Sequence, residues 1–342
     1  MRRVLIPEAN KAILEEIDEP KPGPGEISLN VAYCGICGSD LHAFKGEHPF
    51  IPLPATPGHE FSGIIARIGE GVLEFKVGDR VTVEPSLVCG KCYNCKIGRY
   101  NICNELRVMG CQGDGAMADY LVVPVNKVVP IPNNLSLKHA ILVEPLAVGI
   151  HAIKRGGDLS SKNIVIIGAG MIGLAVLICV VKAGAERIIV TDLSDERLEF
   201  AKKLGATHTI NSSKINPIEK FLSEQPYEGI DVVFECVGVE RSIRDALDLI
   251  RKGGRVVVVG VFGDEITVNM ANVQDREQEI FGSLMYTRED FTEAVQLVAN
   301  LPLSPDMFIT KIYPLEKPEE AFNSALDAKN NLKVAFEINR EK

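Results

Sequence analysis

Residues 163–173 read NIVIIGAGMIG: an apolar, β-branched run, then Gly168, Gly170 and Gly173 in the spacing G-x-G-x-x-G, and then directly the helical pattern MIGLAVLICVVKAG. Three spaced glycines alone carry little information. Between a strand and a helix they predict a turn whose backbone closely approaches a pyrophosphate, with the unpaired N–H groups of the helix start facing the negative charge. The next apolar run, RIIVTD, ends on Asp192, at the distance expected of the acid that accepts hydrogen bonds from an adenosine ribose. A carboxylate there repels a 2′-phosphate, so NAD is expected over NADP. Arg197, one helical turn later, is placed to pair with Asp192 or to lie near the adenine.

Working outward, the same rhythm of apolar strand, turn and helix recurs in GIDVVFECVG, GRVVVVG and EIFGSLMY, which predicts a doubly wound parallel sheet. Gly184 and Gly205 stand where the C-caps of the first two helices belong. Before residue 150 the pattern differs. Short runs broken by Gly and Pro (GEISLNVAYCGIC, GHEFSGIIARIG, GDRVTVEP, ADYLVVPVNKVVPIP) predict a largely antiparallel β domain. The expected organisation is a β domain over 1–150, a Rossmann domain over 151–287, and a segment 288–342 whose last run, LKVAFEI, returns to the first domain as a strand. The fold class is α/β.

Composition bounds the function. With 46% hydrophobic and 24% charged residues the chain is of ordinary globular type, and 342 residues favour two domains. A net charge of −9 without a Lys/Arg cluster disfavours a duplex-binding surface. The start, MRRVLIPEANKAILEE, lacks a signal-peptide core, and the longest apolar run, residues 174–181, is too short for a bilayer. The expectation is a cytoplasmic protein with no membrane or nucleic-acid partner, its nine cysteines reduced and available to metals.

Cys89, Cys92, Cys95 and Cys103 form C-x2-C-x2-C-x7-C within a lobe spanning about 86–106. Four thiolates at this spacing close tetrahedrally on one zinc, a structural site with no open position. The alternatives fit less well: the residue after Cys103 is Asn, where ferredoxin runs carry Pro, and a thioredoxin-like context for a redox CxxC is missing. A second set is scattered: Cys37 in CGICGSDLH, His59 and Glu60 in PGHEFSG, and Glu144 in VEPLAV. Thiolate, imidazole and carboxylate together leave a tetrahedral position open for water or substrate oxygen. Gly35 and Gly38 flank the cysteine, and Gly58 and Gly63 flank the His-Glu pair, which lets backbone approach a crowded centre.

The order CGICGSDLH, GHE, CxxCxxCx7C, EPLAV, GAGMIG resembles the zinc-dependent medium-chain dehydrogenase/reductase family over nearly the whole chain. Glu60 and Glu144 make it similar to the sorbitol and threonine dehydrogenase branch, since classical alcohol dehydrogenases carry cysteine at the Glu144 position. The resemblance implies a GroES-like catalytic domain and two zincs per chain, one structural and one catalytic. It implies Cys37, His59 and Glu60 as ligands of the catalytic zinc, and Glu144 as a conditional ligand or holder of its water. It implies a proton relay through Ser39 and His42, a hydroxyl handing on to an imidazole. Ile172, Val259, Val261, Met285 and Tyr286 are implied as cofactor contacts, and the assembly as a homotetramer or homodimer.

Ala43 stands where sorbitol dehydrogenases carry a substrate-binding tyrosine, and Phe44 is expected to shape the pocket instead. The expected substrate is a polyol, sugar acid or vicinal diol. L-threonine is the second expectation, and a non-catalytic protein binding NAD and zinc the third. His48, His139, His151 and His208 read as surface or packing histidines, and Cys34, Cys111, Cys179 and Cys236 as buried, inert thiols.

Overall fold

Parallel strands buried on both faces must be apolar almost throughout, and the runs around the Gly-rich turn are. In the computed structural model, which describes residues 1–216, 220, 229–263, 265–327 and 329–339, they form a wholly parallel six-stranded sheet among the described residues. Its order in space is His208–Asn211, Arg187–Asp192, Asn163–Ile167, Ile230–Glu235, Ile250–Val258, Glu279–Gly282. Numbered along the chain this is 3-2-1-4-5-6, and the order reverses beside Asn163–Ile167, where doubly wound sheets bind their ligands. Helix Met171–Lys182 leaves this strand with residues 173–180 all buried. Gly184 (φ +76°) and Gly205 (φ +110°) hold the left-handed conformation just past their helices.

The chain divides into two units, Met1–Glu144 with Thr287–Lys342, and Pro145–Tyr286. The first change of unit falls at Glu144/Pro145 instead of 150. Helix Val143–Gly156 runs through it unbroken, with Pro145 in its first turn where proline is tolerated, so no punctuation marks the place.

The first unit is built on a seven-stranded sheet, again counted among the described residues, centred on Glu26–Gly35 and Glu60–Ile68. Most of its pairs are antiparallel, as the Gly/Pro punctuation predicts. The exception lies in the C-terminal segment: Ile309–Pro314 pairs in parallel with Lys333–Glu337, joined by helix Pro318–Leu326. Lys333–Glu337 then lies antiparallel to Glu26–Gly35, with Ala335 opposite Gly35, and Gly35 is opposite Glu60 on its other side. The last strand of the chain thus lies two strands from the His-Glu pair.

One expectation fails here. Phe44 is 1% exposed and stacks on Phe322 of helix Pro318–Leu326, with ring centroids 5.0 Å apart. It is a core residue and not a pocket wall. Ala43 is likewise buried, in a small cluster with Ile51 and Ala55. Phe44 faces inward because the C-terminal helix covers it, and no local pattern announces that cover. No helix among the described residues is long and apolar enough to cross a membrane.

Candidate active site and metal centres

The four lobe cysteines converge. Their sulfurs lie 3.4 Å (Cys89–Cys103), 3.5 Å (Cys92–Cys95), 3.9 Å (Cys92–Cys103) and 4.0 Å (Cys89–Cys95) apart. Tetrahedral ligands at about 2.3 Å from zinc stand about 3.8 Å from one another, so the cage has the right size. Backbone amides already point at the sulfurs: Cys89 and Glu105 donate to Cys103 Sγ, and Cys92 donates to Cys89 Sγ. The thiols do not ionise alike. Backbone hydrogen bonds, that of Asn104 foremost, pull Cys92 down to about 6, whereas desolvation and the neighbouring Cys92 and Cys103 push Cys95 up to about 12. Such crowding of thiolates calls for a cation.

Cys37, His59 and Glu60 also converge, each offering a ligand atom within 4.8 Å of the others. Local structure places each one. Cys37 is the N-cap of helix Gly38–Phe44, and its N–H donates to Asp40 Oδ2 at 2.8 Å. Glu60 opens the strand Glu60–Ile68, so His59 stands at its threshold. A Cβ at position 35 would overlap the Glu60 carboxylate, which is why glycine is required opposite it.

Asp40 is a functional residue that sequence reasoning missed. It is completely buried, and its Oδ1 lies 3.7 Å from His59 Nδ1. Neither atom has a hydrogen-bond partner among the described residues. The carboxylate faces Nδ1 of the imidazole, the side from which a carboxylate supports a metal-binding histidine, and Nε2 is the nitrogen left for a metal. Burial works against a charge on His59, yet Asp40 and Cys37 outweigh it and hold its pKa well above the ordinary value. Orphaned buried polar atoms, together with a thiolate, imidazole and carboxylate donor set, fit a catalytic zinc.

A second missed residue is Lys333, 2% exposed, whose Nζ donates to Glu60 Oε1 at 2.7 Å, to Glu60 Oε2 at 2.5 Å and to the Ile36 carbonyl at 3.1 Å. Glu144 lies outside the three-residue cluster. It is buried at 6% exposure, and its charge is felt by Lys333.

Ser39 and His42 share helix Gly38–Phe44 three residues apart, hence on one face. Ser39 is half-buried, while His42 is exposed with Nδ1 3.9 Å from Glu47 Oε2. Two residues set aside on sequence belong near this centre. Cys111 is only partly buried and reaches the His59 ring, and His48 has its pKa lowered by burial and by His42 and His59. Their separation in sequence from the quoted motifs hid both.

In the second unit Gly168 takes φ +98°, and a Cβ on Gly173 would overlap the Gly168 carbonyl oxygen. Gly170, the helix N-cap, has among the described residues only the Arg197 guanidinium within 4 Å of such a Cβ. Asp192 is pinned from two sides. Its Oδ2 accepts from Ala169 N at 2.7 Å and its Oδ1 from Ser194 N at 2.9 Å, with Arg197 Nη1 3.9 Å away. Ile172 and Val259 are half-buried and Val261 is 62% exposed. Met285 takes φ +51°, unusual for a non-glycine residue. Tyr286 is 0% exposed, its side chain packed in the interior.

With both sites in view, comparison with known proteins is direct. Residues 23–133 match the family model described as an alcohol dehydrogenase GroES-like domain, and residues 172–300 match that of a zinc-binding dehydrogenase. A sorbitol dehydrogenase of Bacillus subtilis is 36% identical, covering 99% of this chain and 98% of its own length. A zinc-binding dehydrogenase of Sinorhizobium meliloti, solved bound to NADP, superposes with a TM-score of 0.89 at 30% identity, covering 98% of each chain. An alcohol dehydrogenase of Escherichia coli complexed with NADH superposes with a TM-score of 0.92 at 30% identity, covering 98% of this chain and 99% of its own. The chain belongs to the zinc-dependent medium-chain dehydrogenases, in their sorbitol dehydrogenase-like branch.

Proposed function

We propose that the protein oxidises a secondary alcohol, a polyol, sugar acid or vicinal diol, reversibly to the ketone, with NAD as hydride acceptor and zinc as the catalytic metal. The observation that carries this reading is an open donor set, Cys37, His59 and Glu60, in a chain that also holds a dinucleotide turn. A bound zinc supplies polarisation of an alcohol oxygen, and NAD supplies a hydride acceptor. The protein does the rest. Cys37, His59 and Glu60 hold the metal, Asp40 backs the His59 imidazole, and Glu144 supports the site from outside the cluster. Ser39 Oγ takes up the proton and passes it to the His42 ring, whose exposure delivers it to solvent.

Zinc-loaded protein mixed with NAD and a panel of diols, sugar alcohols, sugar acids and threonine, followed by nicotinamide absorbance, tests the reading. Turnover confined to threonine would move the substrate class, and none across the panel would favour a binding role.

NAD is preferred because the Asp192 carboxylate, which ends the strand after the Gly-rich turn, would repel a 2′-phosphate. In Asp192→Ala the carboxylate is gone and Arg197 is released to meet a phosphate. The ratio of kcat/KM for NAD over NADP is expected to fall about 100-fold. An unchanged ratio, measured with both cofactors on one substrate, would remove Asp192 from the choice.

The assembly is a homotetramer or homodimer, supported by the exposed Ile280 and Leu284 on and beside the edge strand Glu279–Gly282, and light scattering tests it. A cytoplasmic location is supported by nine unbridged cysteines, a state that reducing surroundings preserve.

A further inference from the structure

Lys333 spends all three of its donors at the metal centre: two on Glu60 and one on the Ile36 carbonyl. Strand pairing builds the contact, because Glu60 and Ala335 flank Gly35 in adjacent strands. Glycine 35 keeps the space clear: a Cβ there would overlap the Glu60 carboxylate and stand 3.3 Å from Lys333 Cδ. A buried ion pair of this kind offers little net stability over an apolar pair, because desolvating two charges costs about as much as their attraction returns. Its value at a metal centre lies in what it does to the ligand.

We propose that Lys333 is a positioning residue that competes with the catalytic zinc for Glu60, so that Glu60 remains a releasable ligand and the substrate position stays open. The proposal rests on the reading of Cys37, His59 and Glu60 as the zinc set. The physical effect runs through Glu60: a carboxylate whose two oxygens both accept from an ammonium has less electron density to give a metal. With Lys333 neutralised, Glu60 loses the cation that competes for its oxygens and binds zinc persistently.

The experiment is release of zinc from the full-length protein into excess chromogenic chelator, and the phase missing in Cys37→Ser identifies this centre. In Lys333→Met that phase is expected to slow about tenfold, and Lys333→Arg is expected to restore the wild-type rate within about threefold. A side chain that only supports the fold would lower thermal stability without slowing release. Release from Lys333→Met as fast as wild type, or faster, overturns the proposal.

Removing one partner of a buried pair can prevent folding, so the neutral double variant Glu60→Gln/Lys333→Met is compared with Glu60→Gln alone. If Lys333 acts through Glu60, these two release zinc at the same rate within about twofold, and a difference beyond about fivefold overturns it. Glu60→Gln against wild type separates the two claims. No change there ends the zinc-ligand reading of Glu60 itself and this proposal with it, whereas faster release there with no slowing in Lys333→Met ends this proposal alone.

Discussion

Cys37→Ser is expected to lose at least about 10³-fold in turnover while its affinity for NAD stays within about twofold of wild type. The two substituents differ by one atom, but at neutral pH a serine hydroxyl stays protonated, whereas a thiol ionises readily to the anion that zinc binds. His59 and Glu60 alone then face the metal, and Glu60 already has Lys333 on both oxygens. The catalytic zinc is lost and the metal content falls from two per chain to one, because the lobe cysteines belong to a different segment. NAD binding survives because the turn around Gly168, Gly170 and Gly173 and the acid Asp192 lie in the other unit. Elemental analysis, cofactor titration by fluorescence and a turnover assay read the three parts separately. Full turnover with one zinc per chain would sink the assignment of this centre.

The contrast between Cys37 and Lys333 marks how far the sequence could be read. The Gly-rich turn was legible because its signal is local, glycines at fixed spacing between an apolar strand and a helix, and the lobe was legible because fifteen consecutive residues, 89–103, contain all four sulfurs. Cys37 and the His-Glu pair needed the glycines around them and a family resemblance, since a lone thiol or histidine is more often packing than ligand. Lys333 lies 273 residues from Glu60, and its burial follows from a strand register that no periodicity encodes. Asp40 sits inside the quoted CGICGSDLH, yet an acid at the start of a helix is so ordinary that its second role, facing His59, passes unseen. Phe44 shows the reverse error. An aromatic beside the relay suggested a pocket, and only the distant Phe322 reveals that it faces the core. Local chemistry is readable from spacing, whereas which side of an element faces a remote segment is not.

Cys103→Ala is expected to release the lobe's zinc and lower the Tm by roughly 10 °C while leaving the centre at Cys37 loaded. Cys103 is the most buried of the four, at 7% exposure, and its sulfur accepts from two backbone amides, Cys89 and Glu105. Without it the remaining three thiols cannot close a tetrahedron, and the segment around them has little else to hold it: helix Tyr93–Lys96 is four residues long and buries none of its side chains. The fall in Tm is limited because the lobe's base is anchored separately. Lys127 is held by Glu84 at 3.0 Å and Ser86 at 3.2 Å and lies 5.1 Å from the Tyr100 ring centroid, while the Tyr100 hydroxyl accepts from the Arg288 amide. That buried polar network survives loss of the metal, so the tip opens locally while the sheet beneath stays folded. Limited proteolysis is therefore expected to cut first within residues 86–106, with calorimetry and elemental analysis reporting the Tm and the one remaining zinc. Two zincs per chain and an unchanged Tm would show that the four cysteines do not form the structural site.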